Sequence, residues 1–192
     1  MTIQSIRHET LLAPRIMKDA VRNVLPEFHN NANTSVLQQF VCIAAEQSKV
    51  SIAIKLLADV QLTNVLIYVR TNFAADNLAE ILNRAGVVAE SIHDNKSQRT
   101  KTRTLANFKK KLTNVLVATE SAAAIIGMEV STILNYDLPL SADTYTKRIA
   151  VHRAAGPMNI VFSFCNTSEQ SRLVNIQRAV PGEITLLDQC SG

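Results

Sequence analysis

Short apolar runs alternate with amphipathic stretches along most of this chain, and that alternation limits the folds open to it. Residues 36–44 (VLQQFVCIA) read as a strand, and 47–60 as a helix with Ile52, Ile54, Leu56 and Leu57 on one side. Residues 65–69 (VLIYV) form a run apolar at every position, as a strand covered on both faces requires. The pattern continues with a helix over 72–84 whose Phe73, Leu78, Ile81 and Leu82 face inward and whose C′ residue is Gly86. A strand over 87–92 follows, then a helix over 97–110 directing Leu105 and Phe108 at the sheet. Further strands are expected over 115–118, 132–136 and 160–164, with helices over 121–126, 142–150 and 168–179, the last closed by Pro181 and Gly182. Strands of four to eight residues separated by helices are the mark of βαβ units. The expected fold is therefore α/β, a three-layer α/β/α domain with a mostly parallel sheet and right-handed crossovers.

Residues 1–35 stand apart. Ile16, Ala20, Val21, Val24 and Leu25 suggest a helix over about 14–25 that Pro26 ends, and HNNANTS (29–35) is a polar linker. We divide the chain into an N-terminal segment, 1–35, and a domain, 36–192. A hydrophobic content of 47% and a charged content of 19% exclude a disordered chain. The amino terminus lacks an apolar signal region, and no apolar run reaches the roughly 20 residues that cross a bilayer, so no membrane role is expected. Cys42, Cys165 and Cys190 have no paired spacing, which predicts reduced thiols and a cytoplasmic protein.

Charge is unevenly placed. Residues 96–111 hold seven cations (Lys96, Arg99, Lys101, Arg103, Lys109, Lys110 and Lys111) and no acid, leaving 13 cations against 16 acids elsewhere. A concentrated field of this kind attracts a polyanion, although a solvated lysine-rich helix face would look the same. In open parallel sheets ligands sit beyond the carboxyl ends of the strands. Loops 70–72, 93–98 and 119–121 emerge there. The first and last place Thr71 and Thr119 just after a strand and before a helix; each hydroxyl suits either a helix cap or a phosphate contact. The absence of Trp, with three Tyr and six Phe, argues against binding dominated by stacking on aromatic rings. His8, His29, His93 and His152 lack metal-site spacing. Asp137 follows a strand and is read as structural, and Cys165 as a small core hydrophobe.

Five segments carry a resemblance: VLIYVRT (65–71), IHDNKSQRTKTRTLANFK (92–109), VLVATESAA (115–123), ILNYDLP (133–139) and YTKRIAVHRAAG (145–156). In order and spacing they resemble the second RecA-like domain of DEAD-box RNA helicases, over about residues 36–180. Residues 11–27 resemble, more weakly, the segment that joins the two lobes. The resemblance implies a RecA-like fold, single-stranded RNA as partner through its phosphates, and ATP and Mg²⁺ as cofactors of the two-lobed enzyme. Thr71, Gln98 and Thr119 match RNA-side positions, Lys101 stands where the family has arginine, and Arg99 and Arg103 lie beside it. His93 matches a histidine that glycine normally follows; Asp94 follows it here, placing a carboxylate where the family has bare backbone.

On the ATP side the resemblance fails. The motif-V positions that carry an arginine and an aspartate in the family fall on Ala124 and Gly127, and the two finger arginines of motif VI on Val151 and Ala154. Arg148 remains, at a position the family uses for structure. A finger arginine contributes about 10³–10⁵ in rate, so the chain alone is expected neither to hold a cofactor nor to hydrolyse ATP. No GxxxxGK[ST] or DEAD sequence occurs. The chain is thus either the carboxyl-terminal piece of a longer helicase, working with a first lobe, or a degenerate remnant, and the substituted arginines favour the remnant. A third reading is an interaction or self-association module with an apolar patch at Ile125, Ile126 and Val151.

Overall fold

Val65–Tyr68, Val115–Ala118 and Thr132–Asn135 are buried at every position, and these three strands lie side by side within one sheet. The computed structural model describes residues 37–45, 48–59, 62, 64–123, 130–150, 159–180, 182 and 184–187. In chain order the elements are β1 (Leu37–Ile43), α1 (Lys49–Asp59), β2 (Val65–Tyr68), α2 (Asn72–Arg84), β3 (Ala89–Ile92), α3 (Gln98–Lys109) and β4 (Val115–Ala118). They continue with α4 (Glu120–Ala123), β5 (Thr132–Asn135), α5 (Ala142–Ala150), β6 (Asn159–Cys165), a 3₁₀ turn (Thr167–Glu169), α6 (Gln170–Ala179) and β7 (Ile184–Leu187).

Among the described residues seven strands lie in the order β3-β4-β2-β5-β6-β1-β7, and every neighbouring pair is parallel. Alternate residues along each strand feed two separate cores. Val65, Ile67, Val115, Val117 and Phe162 pack with α1 and α2 through Ile52, Leu56, Leu78 and Leu82. Leu66, Tyr68, Leu116, Ala118 and Val161 pack with α3 to α6 through Phe108, Ala122, Tyr145, Leu173 and Ile176. Helices on both faces of one parallel sheet make the three-layer α/β/α arrangement expected from the sequence, with the sheet parallel throughout.

Several expectations are corrected. Phe73 does not face inward: it is 80% exposed, and α2 buries Ala75, Leu78, Ala79 and Leu82 instead. Its place in the first turn puts it ahead of the inward stripe. The strand β7 was not expected; Ile184, Thr185 and Leu186 are only partly buried or exposed, as befits an edge strand, so no continuous apolar run announces it. Cys42, beside Leu187 of β7, is disulfide-bonded, against the expectation of three reduced thiols, while Cys165 is free. Sequence spacing does not reveal a bond that the folded topology makes. The N-terminal segment 1–35 and positions Ala124, Gly127, Val151 and Ala154 lie outside the described residues, as do Ile125 and Ile126. Among the described residues no helix is long and apolar enough to cross a membrane.

Candidate nucleic-acid interface

Because all strands run the same way, their carboxyl ends share one edge. Thr71 follows β2, His93 to Ser97 follow β3, and Thr119 follows β4; β3, β4 and β2 are consecutive neighbours. The first and third loops and the start of the cationic helix therefore meet at one corner of the sheet. Thr71 caps α2: its Oγ1 accepts from the Ala74 N–H at 3.1 Å. Ser97 caps α3 in the same way, accepting from Thr100 N–H at 3.2 Å. Gln98 and Arg99 are exposed in the first turn beyond that cap. Thr119 is 6% exposed, with its Oγ1 3.5 Å from Ser121 Oγ. The expected capping role and an outward hydroxyl thus coexist at Thr71, whereas Thr119 is nearly enclosed.

The register of α3 follows from Glu90 on the edge strand β3. Its carboxylate accepts from Thr104 Oγ1 at 2.6 Å, Asn107 Nδ2 at 2.7 Å and Thr113 Oγ1 at 2.8 Å. Burial raises the pKa of this carboxyl, but the three donors, helped by the charge of Arg103, outweigh it and leave it below its ordinary value. With Thr104 and Phe108 held inward, the helical period of about 100° per residue fixes where the cations point. Lys101 lies two residues from both Arg99 and Arg103, about 200° around the helix from each. The cationic run is therefore split between two faces rather than gathered on one. Arg99, Arg103, Lys109, Lys110 and Lys111 are exposed and form no ion pair with a described residue.

The other two cations are engaged. Lys96 Nζ lies 2.7 Å from Asp76 Oδ1, and Asp76 also accepts from Ser91 Oγ at 2.5 Å and faces His93 Nε2 at 3.0 Å. Burial would raise the Asp76 carboxyl; the hydrogen bonds from Lys96, Ser91 and His93 and the Lys96 charge hold it down at about 2. His93 is buried, and its Nδ1 has no hydrogen-bond partner among the described residues. Lys101 Nζ lies 3.8 Å from Asp94 Oδ1, and Asp94 Oδ2 accepts from Ser121 Oγ at 2.5 Å. A single carboxylate so bridges the loop after β3, the helix α3 and the start of α4.

Beyond this corner the edge is held by buried charge. Arg148 Nε and Nη2 reach Glu120 Oε2 at 2.7 and 2.6 Å, and Nη1 donates to Asn135 Oδ1 at 2.8 Å and to the Asp137 carbonyl at 3.0 Å. Asp137 Oδ2 accepts from Arg70 N–H at 2.7 Å, and Oδ1 lies 4.0 Å from the buried Lys49 ammonium, which supports its structural reading. Glu169 accepts from Arg70 at 3.4 Å and Arg172 at 3.1 Å. Sequence reasoning did not single out Glu90, Asp76, Lys49 or Ser121. Only Ser121 carried a signal, its position two residues after Thr119.

Residues 48–155, which span all three loops of this corner, match the model of the helicase conserved C-terminal domain. The chain belongs to that family. Within it, the similar proteins are DEAD-box helicases. The DEAD-box ATP-dependent RNA helicase CshA of Bacillus cereus is 30% identical over 94% of this chain, and the chain spans 37% of that relative's length. Escherichia coli SrmB, solved bound to the regulator of ribonuclease activity A, superposes with a TM-score of 0.73 at 25% identity, covering 80% of this chain and 91% of that one. Saccharomyces cerevisiae Dbp5, solved bound to RNA and ADP BeF3, gives 0.72 at 23% identity over 88% of this chain and 49% of its own; at that identity the match speaks for the fold. This helicase C-terminal domain is thus RecA-like, and its cationic corner lies inside the matched region.

Proposed function

We propose that this chain is the second lobe of a DEAD-box RNA helicase and that its strand-tip corner grips the phosphates of single-stranded RNA. Thr71, Gln98, Arg99, Lys101, Arg103 and Thr119 are the residues assigned to that grip. The observation that carries the reading is the convergence of the loops after β2, β3 and β4, with the first turn of a cationic helix, on one edge. Hydroxyls, an amide and cations at such an edge suit phosphate oxygens, and no base-reading group is needed. The similarity to an RNA helicase over nearly the whole chain supports the same ligand. Arg99 and Thr71 are exposed and available, while Lys101 is tempered by Asp94.

The chain alone is inferred not to hydrolyse ATP. Ala124, Gly127, Val151 and Ala154 offer no charge to a nucleotide, and Arg148 is consumed by Glu120, Asn135 and the Asp137 carbonyl. ATP and Mg²⁺ would enter only with a first lobe, which makes such a lobe the expected protein partner; self-association through Ile125, Ile126 and Val151 is the competing use of these residues. A cytoplasmic location suits an RNA-binding lobe, and the Cys42 disulfide weighs against it.

A titration of labelled single-stranded RNA at several salt concentrations tests the proposal. Four neutralised phosphates give a log–log slope of about −3. Salt-independent binding, or none at low salt, would reject the RNA grip. ATP turnover by the chain alone would overturn the inferred inactivity, and RNA-stimulated turnover on adding an intact first lobe would favour a working second lobe over a degenerate remnant. A concentration-dependent dimer in sedimentation that excludes RNA would replace the grip by self-association.

A further inference from the structure

Asp94 lies between two groups that a phosphate would want. Ser121 donates its hydroxyl to Oδ2 at 2.5 Å, and the Lys101 ammonium stands 3.8 Å from Oδ1. The three residues come from three separate elements: the loop after β3, the helix α3 and the short helix α4. Lys101 is mostly covered, at 15% exposure, whereas Asp94 is 58% exposed and open to replacement. An anion donated to by a hydroxyl and paired with an ammonium is the arrangement in which a phosphodiester oxygen is held. Here the chain supplies the anion itself.

We propose that Asp94 occupies, as an internal surrogate, the position of one RNA backbone phosphate, and so sets how tightly the corner binds. The inference rests on the RNA-binding reading and deepens it. While the Asp94 carboxylate is in place, Lys101 is already neutralised and Ser121 already satisfied. A phosphate arriving there must displace the carboxylate or stay out, and in either case Lys101 releases no counterion. The binding that remains comes mainly from the other residues of the grip, Thr71, Gln98, Arg99, Arg103 and Thr119. Asp94→Asn keeps the shape and the acceptor for Ser121 but removes the charge, and it leaves Lys101 as a free cation facing the strand tips.

The experiment is a double-mutant cycle on the full chain with labelled oligouridine, over a range of salt concentrations, using wild type, Asp94→Asn, Lys101→Ala and the double variant. Asp94→Asn is expected to bind about five-fold tighter at low salt, with a log–log slope steeper by about 0.7, one added phosphate on a single strand. Lys101→Ala is expected to weaken wild-type binding less than it weakens Asp94→Asn, and to abolish the gain when combined with Asp94→Asn. Inorganic phosphate, added as competitor, should displace the oligonucleotide from Asp94→Asn no better than its ionic strength predicts, since one subsite is a small part of the grip. Equal slopes for wild type and Asp94→Asn, or a Lys101→Ala loss as large in wild type as in Asp94→Asn, overturn the inference and leave the RNA grip standing. Binding by Asp94→Asn but not by wild type supports the inference and removes the grip from the native chain. Binding by neither overturns both. Thermal melting checks that the exposed substitution leaves the fold intact.

Discussion

Arg148 lies over the Tyr68 ring, its Cζ 4.4 Å from the ring centroid, while its guanidinium joins the segments bearing Glu120, Asn135 and Asp137. Arg148→Met keeps the apolar stem and strands the Asn135 amide oxygen, which is fully buried. The loss should be about 2–4 kcal/mol, less than for a wholly buried pair because Glu120 can turn to water. It is read as a lower urea midpoint at unchanged slope. Arg148→Lys should recover only part, because an ammonium cannot serve three acceptors in one plane. An unchanged midpoint would show that the network contributes nothing to stability.

Thr71 can be split into its two roles. Thr71→Ala removes the α2 cap and should cost about 1 kcal/mol, whereas Thr71→Asp keeps a capping oxygen and the native stability. Both should weaken RNA binding, the aspartate more, since it sets a negative charge at the phosphate edge. RNA affinity equal to wild type in Thr71→Asp would reduce Thr71 to a cap.

Glu90 predicts a pH dependence of definite sign. Its folded carboxyl has a lowered pKa. The ionised group therefore adds stability above the ordinary glutamate range, and that contribution fades as pH falls through the lowered value. Glu90→Gln should be less stable than wild type at pH 7 by about 1 kcal/mol. The gap should close as pH falls from the ordinary glutamate range through the lowered value. Denaturation midpoints from pH 7 downward check this; a gap that widens in acid contradicts it.

Phe73 and Leu82 sit in the same helix with opposite fates. Leu82 is fully buried and Phe73 is 80% exposed. Leu82→Ala should cost about 2–5 kcal/mol. Phe73→Ala should change stability by under about 0.5 kcal/mol. A large loss at Phe73 would mean that its ring is covered in solution.

The central strands were legible because burial on both faces leaves an unbroken apolar run: VLIY and VLVA announce β2 and β4 without help from their neighbours. Helix α2 was legible from end to end, Thr71 and Gly86 marking its limits, the glycine at φ +85°. The edge strand β7 was not, since partial exposure breaks the pattern. Within the candidate site the hydroxyls and the cationic run were readable as types. Their partners were not. That Lys101 meets Asp94 while Arg99 and Arg103 stay exposed depends on the register of α3, which Glu90 sets from another element. Asp94 itself stood out in the sequence as a carboxylate out of place; its bond to Ser121 is a matter of topology.

The first strand of the sheet has the last two as its neighbours: β1 lies between β6 and β7. During synthesis β1 leaves the ribosome well ahead of both its partners, and its ladder stays unmade until β6 and β7 have emerged. Closing so long a loop is slow. A newborn chain will hold a largely apolar, unpaired ribbon open to its neighbours for that time, so this domain should lean on chaperones and should not tolerate loss of β7.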